Sequence, residues 1–333
     1  MATGRAASDW PSSRQVPSTY PGAAPDHHHL LVDGRVLPLD VRWRDGTLAM
    51  TLPDATPVDD VLARAGSAPL AERVPVLAYG TNRSPHTLVL KFAHHGRHRS
   101  PRPGAAAPVL AGRLTGVDVV AAGVSSQGFV YADLTPSAGT GISVLLGLLD
   151  PAQAAALHDS EGVGRGMYEC ALVPGFEVAG TSLHLDVVGY AGCRPVFVSP
   201  ETGTPLAFSI VPASGRRFPA YEQVELTTHV LVSTGVAGDV ADLLGLGAGC
   251  EPATVARQWA ALVNGQWWYA RHTGDGGVTL ADRARELVAG ALSRHGPGPS
   301  TAERMGATGA VLAAEEAYAA GPRLRLGAQV GLG

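Results

Sequence analysis

Five apolar residues, Val74 to Ala78, run directly into Tyr79-Gly80-Thr81-Asn82, and the stretch that follows, SPHTLVLKF from Ser84, carries its apolar residues at helical spacing. That order predicts a buried strand, a tight turn and the start of a helix. Gly80 lets backbone approach a ligand closely. Consecutive N–H groups in a turn of this kind can hold a carboxylate or a developing oxyanion.

Downstream, Val117 to Ala121, Gly128 to Leu134 and Ile142 to Leu149 read as β segments separated by Gly, Ser and Pro. Pro151 to His158 (PAQAAALH) is a helix with proline in its first turn, and it delivers the chain to Ser160-Glu161-Gly162. Strands are expected again over Tyr168–Val173, Ser182–Ala191 and Val196–Ser199, followed by a mainly helical stretch from Pro219 to Leu231. Strands and helices mixed in this way define an α/β (α+β) fold class.

Two segments together, AYGTN at Ala78–Asn82 and LLDPAQAAALHDSEGVGRGMYECALV at Leu148–Val173, resemble the γ-glutamylcyclotransferase family and its plant-type and bacterial relatives. That family carries a Tyr-Gly-Ser-Asn turn after its first strand. A Glu-Gly pair comes about eighty residues later, after a Leu-Asp-containing helix and before a Tyr-bearing strand, an order and spacing nearly repeated here. Asp133 to Ser137 and Gly141 to Leu149 resemble the family's Thr-Leu-Val-Pro turn and its Val-rich strand. Tyr190 and Tyr221 fall where the family has two cavity tyrosines. The resemblance covers roughly half the chain. It implies a mixed β-barrel or sheet with flanking helices over residues 74–232, with a small β appendage before it and a helical extension after it.

The resemblance further implies a site and a reaction. Tyr79, Gly80, Thr81 and Asn82 would hold a γ-glutamyl group, Tyr168, Tyr190 and Tyr221 would line the cavity, and Glu161 would be the acid/base. In such a reaction the substrate's own α-amine attacks its γ-carbonyl, releasing 5-oxoproline and an amine. One carboxylate can take the proton from the α-ammonium and give it to the departing amine, provided it is partly buried among apolar and tyrosine side chains. The nucleophile belongs to the substrate, so neither a protein nucleophile nor a metal or organic cofactor is required. For Asn82 a helix-capping role is an alternative, and for the three tyrosines a place in the core. Thr81 departs from the family's serine, keeping the hydroxyl and adding a methyl. The inserted segment around Ser199–Gly215 and both terminal extensions can cover the cavity mouth and alter the substrate.

The flanks are read from composition. Residues 1–26 are rich in Ser, Pro, Ala and Gly, which predicts a flexible tail. Leu30 to Pro53 holds two Asp-Gly turn signals between short apolar strands, hence hairpins, and Pro57 to Ala71 reads as a short helix. His27, His28 and His29 are adjacent and read as exposed polar residues, because neighbours on an extended segment point to opposite sides and rarely close on one ion. Lys91 to Arg102 is basic, rich in histidine and expected to be a solvated loop. Helices are expected over Val236–Leu246, Pro252–Leu262 and Leu280–His295, with a poorly ordered end from Gly321. Gly245–Gly249 reads as a helix cap and linker. Trp267, Trp268 and Tyr269 are expected to anchor the extension to the main domain.

The formal charge of −4 and pI near 6.3 argue against nucleic acid or anionic membranes as partners. Three cysteines without close pairing suggest reduced, structural thiols. No signal-like or membrane-length apolar run is seen, which points to the cytoplasm. A small γ-glutamyl compound is the expected partner. Two further function classes stay open: hydrolysis or transfer of the same amide, and a noncatalytic ligand-binding or scaffold role. The surviving Glu161 and AYGTN turn favour an enzyme, and the long extensions favour the other reading.

Overall fold

The computed structural model describes residues 4–273, apart from 14, 45, 96–105, 126–127, 200 and 248, together with scattered positions between 283 and 300. In chain order the strands are β1 (Arg5–Ala6), β2 (His29–Val32), β3 (Arg35–Pro38), β4 (Asp40–Arg44), β5 (Thr47–Thr51), β6 (Val74–Ala78), β7 (Ala106–Val124), β8 (Val130–Leu149), β9 (Tyr168–Val178), β10 (His184–Gly192), β11 (Ala207–Phe208), β12 (Ala213–Ser214) and β13 (Ala220–Tyr221). The helices are α1 (Val58–Arg64), α2 (Pro85–His95), α3 (Pro151–Glu161), α4 (Gln223–Ser233), α5 (Ala237–Leu243) and α6 (Pro252–Thr273).

Five strands close into a barrel in the order β7–β9–β10–β6–β8, with β8 pairing back onto β7. The β10–β6 pair is parallel and the other four pairs are antiparallel. Closure at β7–β9 depends on Gly112, where a Cβ would overlap the Phe176 ring and the Glu177 carbonyl. The mixed α+β class and the barrel agree with the sequence reading. The three short β segments do not. Val117–Ala121 joins β7, and Gly128–Leu134 and Ile142–Leu149 merge into β8, giving paired strands of 19 and 20 residues. Gly116 and Gly139 adopt positive φ angles of 89° and 82°, and the β7–β8 register shifts between Thr115 and Val117. Glycine there bends a continuous ribbon and does not end it.

The N-terminal region departs furthest from expectation. The β2–β3 hairpin turns through Asp33 and Gly34, both at positive φ as a primed two-residue turn requires. Strand β2 pairs with β7, so the hairpin continues the barrel sheet and residue 74 marks no break in it; β4 and β5 form a separate pair. Residues 4–26 are not a free tail. Trp10, Ser12, Ser13 and Tyr20 are buried, Ser12 Oγ lies 2.7 Å from Thr87 Oγ1, and Ser84 Oγ donates to the Trp10 carbonyl at 3.0 Å. Composition predicted flexibility, but a few well-placed aromatic and hydroxyl groups supply enough contacts to order the segment.

His29, expected to be exposed, is buried, and desolvation lowers its pKa to about 4. His28 bridges β7 and the turn after β9, accepting from Ala111 N at 3.1 Å and meeting the Ala179 carbonyl at 3.0 Å. The inserted segment lies along the barrel's long ribbon, where β11 pairs with β7 and β12 with β8. Arg216 fastens it through three hydrogen bonds to fully buried Asp118, at 2.9, 3.0 and 3.3 Å. In the extension, α6 packs on α5 and on α4 of the preceding domain, and Trp259 Nε1 of α6 donates to the Gly128 carbonyl at 2.6 Å. Gly245 and Gly247 end α5 with positive φ, in line with a helix cap. The helix expected over Leu280–His295 lies mostly outside the described residues, as do the side chains of Trp267, Trp268 and Tyr269 and the end from Gly321. Among the described residues no helix is long and apolar enough to cross a membrane.

Candidate functional site

Glu161 is the last residue of α3, and both ends of that helix are set by sequence. At the start, Asp150 accepts from Gln153 N at 2.7 Å while Gln153 Oε1 accepts from Asp150 N at 3.0 Å, with proline next in the chain. At the end, Gly162 takes the left-handed conformation (φ 69°, ψ 35°), and the amides of Gly162 and Val163 return to the carbonyls of Asp159 and His158. The Glu-Gly pair is thus a helix terminus that presents a carboxylate. Arg73, wholly buried before β6, ties the helix start to the barrel by donating to the Leu148 carbonyl of β8 at 2.8 Å and to Gln153 Oε1 of α3 at 3.4 Å. Burial lowers its pKa to about 10.

The Tyr79–Asn82 turn leaves β6 and passes through one short helical turn, Thr81–Arg83, before α2 begins. Asn82 does not cap α2; Ser84 Oγ does, accepting from Thr87 N at 3.3 Å. Asn82 reaches across the molecule instead, and its Nδ2 donates to Glu161 Oε1 at 2.9 Å. Lys91 of α2 completes the arrangement, with Nζ donating to Asn82 Oδ1 at 2.7 Å and forming an ion pair with Glu161. The Lys91 side chain is 3% exposed and that of Glu161 16%, so the carboxylate keeps an opening to solvent while its cation does not. Lys91 is therefore a buried residue of α2 and not part of the solvated basic loop that its neighbours predict. The sequence held a signal against the loop, because Lys91 sits three residues after Leu88 on the apolar face of its helix. Residues 96–102 of that loop lie outside the described residues.

A tyrosine network backs the turn. Tyr79 donates to the Tyr190 carbonyl at 2.7 Å, the Tyr190 hydroxyl lies 2.9 Å from His158 Nδ1, and Tyr168 donates to the Ala132 carbonyl at 2.9 Å. The rings of Tyr168 and Tyr190 meet edge to face at 6.3 Å. Burial raises the pKa of Tyr79 and of Tyr168 well above the usual tyrosine range, so both remain protonated donors. Cys170, 3.7 Å from His158 Nδ1, is pushed up to about 12, mainly by burial. A thiol held there is neither nucleophile nor metal ligand. Tyr221 stands apart from this network. It is half-buried and packs its ring on His229 of α4 at 4.3 Å.

Tyr20 had no local signal in the sequence. Its ring stacks on Phe129 at 4.6 Å and its hydroxyl accepts from Ala132 N at 2.7 Å, so Ala132 is held through its N–H by Tyr20 and through its carbonyl by Tyr168. A Cβ placed on Gly80 would stand 3.0 Å from that hydroxyl. The room that glycine leaves at the turn is therefore faced by the chain's own N-terminal segment. Between α2, α3 and the barrel, an apolar cavity of about 10 Å³ bordered by Asn82, Leu88 and Leu157 is at the lower limit for one water. Among the described residues no group of three or more His, Cys, Asp or Glu side chains gathers as a metal site would require.

The solved structures similar to this chain include a γ-glutamyl cyclotransferase. That likeness covers 56% of this chain and 87% of the other, at 14% identity and a TM-score of 0.28. YkqA from Bacillus subtilis is similar over 62% of this chain and 66% of its own, at 15% identity and a TM-score of 0.29. The uncharacterized protein loc79017 from Homo sapiens is similar over 36% and 66%, at 19% identity and a TM-score of 0.28. The chain spans just under two thirds of the last two. No family model matches this chain, and no curated protein does. Activity depends on the residues at the site.

Proposed function

We propose that the chain is a γ-glutamylcyclotransferase-like enzyme that cleaves a γ-glutamyl amide by intramolecular attack of its α-amine, with Glu161 as the proton carrier. The observation that carries this reading is the meeting of Glu161 with Asn82 and Lys91, which puts a partly exposed carboxylate beside a turn suited to an anionic ligand. A stable fold alone has little need of such a pair, since ion pairs taken out of water roughly offset their own desolvation.

Ring closure removes two protons from the α-nitrogen, and two reach the departing nitrogen. Glu161, beside Lys91, takes the first from the α-ammonium, and the amine so freed attacks the γ-carbonyl. The tetrahedral oxyanion needs donors, which the Tyr79–Asn82 turn can supply. Collapse breaks the γ-carbon–nitrogen bond while Glu161 passes its proton to the leaving amine, and the second proton follows the same route. The products are 5-oxoproline and the free amine.

The Glu161→Gln variant keeps the shape of the side chain and cannot accept a proton. Release of 5-oxoproline from a panel of γ-glutamyl amides is expected to fall about 10² to 10⁴-fold, with a much smaller change in binding. Undiminished turnover in the variant would remove Glu161 as the carrier. A second reading, a noncatalytic ligand-binding protein of the same fold, is favoured by the position of Tyr20 against Gly80. It predicts wild-type protein that binds a γ-glutamyl compound and releases no 5-oxoproline.

A further inference from the structure

Tyr20 takes no part in the cyclisation proposed above, and it precedes the barrel's strand–turn–helix unit by more than fifty residues. It is 5% exposed. Its ring is fixed between Phe129 and Phe208, with centroids at 4.6 and 5.5 Å. The hydroxyl uses a lone pair to accept from Ala132 N, and its own proton meets no acceptor among the described residues. A buried O–H that cannot satisfy its donor within the protein is costly to leave so. This one sits where Gly80 opens the turn. Burial raises the Tyr20 pKa well above the usual range, and the negative charge of Glu161 adds to the rise, so the hydroxyl keeps its proton.

We propose that Tyr20 is a ligand-binding residue of this site, its phenolic O–H donating to the α-carboxylate of a γ-glutamyl group held at the Tyr79–Asn82 turn. This rests on the γ-glutamyl reading and adds a residue to it. The N-terminal segment is then a wall of the site: Ser12 and Trp10 tie it to α2, Phe208 of the inserted segment supports it, and Tyr20 supplies its one functional group. Ligands are selected for an anionic oxygen at the position the hydroxyl reaches. An uncharged acyl group lacks that oxygen.

The test compares two probes by calorimetry, γ-glutamyl-alanine and 4-aminobutanoyl-alanine, which differ only by the α-carboxylate. Wild-type protein should prefer the first, and Tyr20→Phe, which keeps the stacked ring, should cut that preference about 10- to 100-fold. A Tyr20→Phe variant with its preference intact overturns the proposal, and so does one that binds γ-glutamyl-alanine more tightly, which would mark Tyr20 as a plug. Should Tyr20→Phe not fold, a 3-fluorotyrosine installed at position 20 keeps the hydroxyl. Its fluorine resonance should move on saturation with γ-glutamyl-alanine and stay in place with the other probe. An unmoved resonance overturns the proposal in that arm. Binding is read without turnover, so a failure here is distinct from an unaffected Glu161→Gln variant. Wild-type protein that binds neither probe would overturn both readings.

Discussion

Lys91 is where the residue scale matters most. A cation beside a carboxylate favours the ionised form, and removing it makes the carboxyl proton harder to lose. In Lys91→Met, Glu161 loses its ion-pair partner, so the acidic limb of the pH–rate profile for 5-oxoproline release should move to higher pH. The rate on the plateau should suffer less than in Glu161→Gln, since the proton carrier is still present. A profile that drops uniformly without moving would assign Lys91 to packing alone. His158 is a different case. Its partners are the Tyr190 hydroxyl and Cys170, which makes it a support for the tyrosine network.

Among the elements, the β2–β3 hairpin illustrates how burial converts a plain sequence feature into a pH-dependent one. His29 is neutral in the fold, with its pKa held at about 4 by desolvation, against about 6.5 in an unfolded chain. The unfolded state therefore binds the extra proton first as pH falls, and stability present above about pH 6.5 is lost progressively toward pH 4. Between pH 7 and 5 the loss from this residue should be about 2 kcal/mol, with half-buried His28, also shifted down, acting in the same direction. Denaturation midpoints at the two pH values would show it, and His29→Gln, which does not titrate, should narrow the gap. An equal gap in that variant would clear His29 of the effect. The helix α3 shows the opposite relation to sequence, because its proline start, capping box and terminal glycine are all local signals.

For the whole molecule, the attachments to the barrel decide what the site can be. Arg216 carries the inserted segment on buried Asp118, and removing one partner of such a pair strands the other charge. Arg216→Met should cost about 3 to 5 kcal/mol in denaturant unfolding. Adding Asp118→Asn should recover part of that, because the stranded charge is then gone. Additive losses in the double variant would mean that the pair is not coupled. The same inserted segment brings Phe208 to Tyr20, so its loosening should reach the turn through that ring.

What the sequence determined by itself were features written within a few neighbouring residues. These are the strand and turn through Asn82, the helix that starts at Pro151, which the structure carries three residues beyond His158 to Glu161, the hairpin at Asp33-Gly34 and the mixed α+β class, each resting on periodicity, capping or turn chemistry. Landmark order also sufficed to nominate Asn82 and Glu161 together. Tertiary structure decided which distant groups meet. It buried Lys91 against Glu161, bonded Asn82 to Glu161 and left the capping of α2 to Ser84, fused three β segments into two long strands and set Tyr20 over Gly80. The physical reason is that such contacts depend on barrel closure, which pairs residues tens of positions apart. No local pattern records the desolvation, charge pairing or close approach that closure creates.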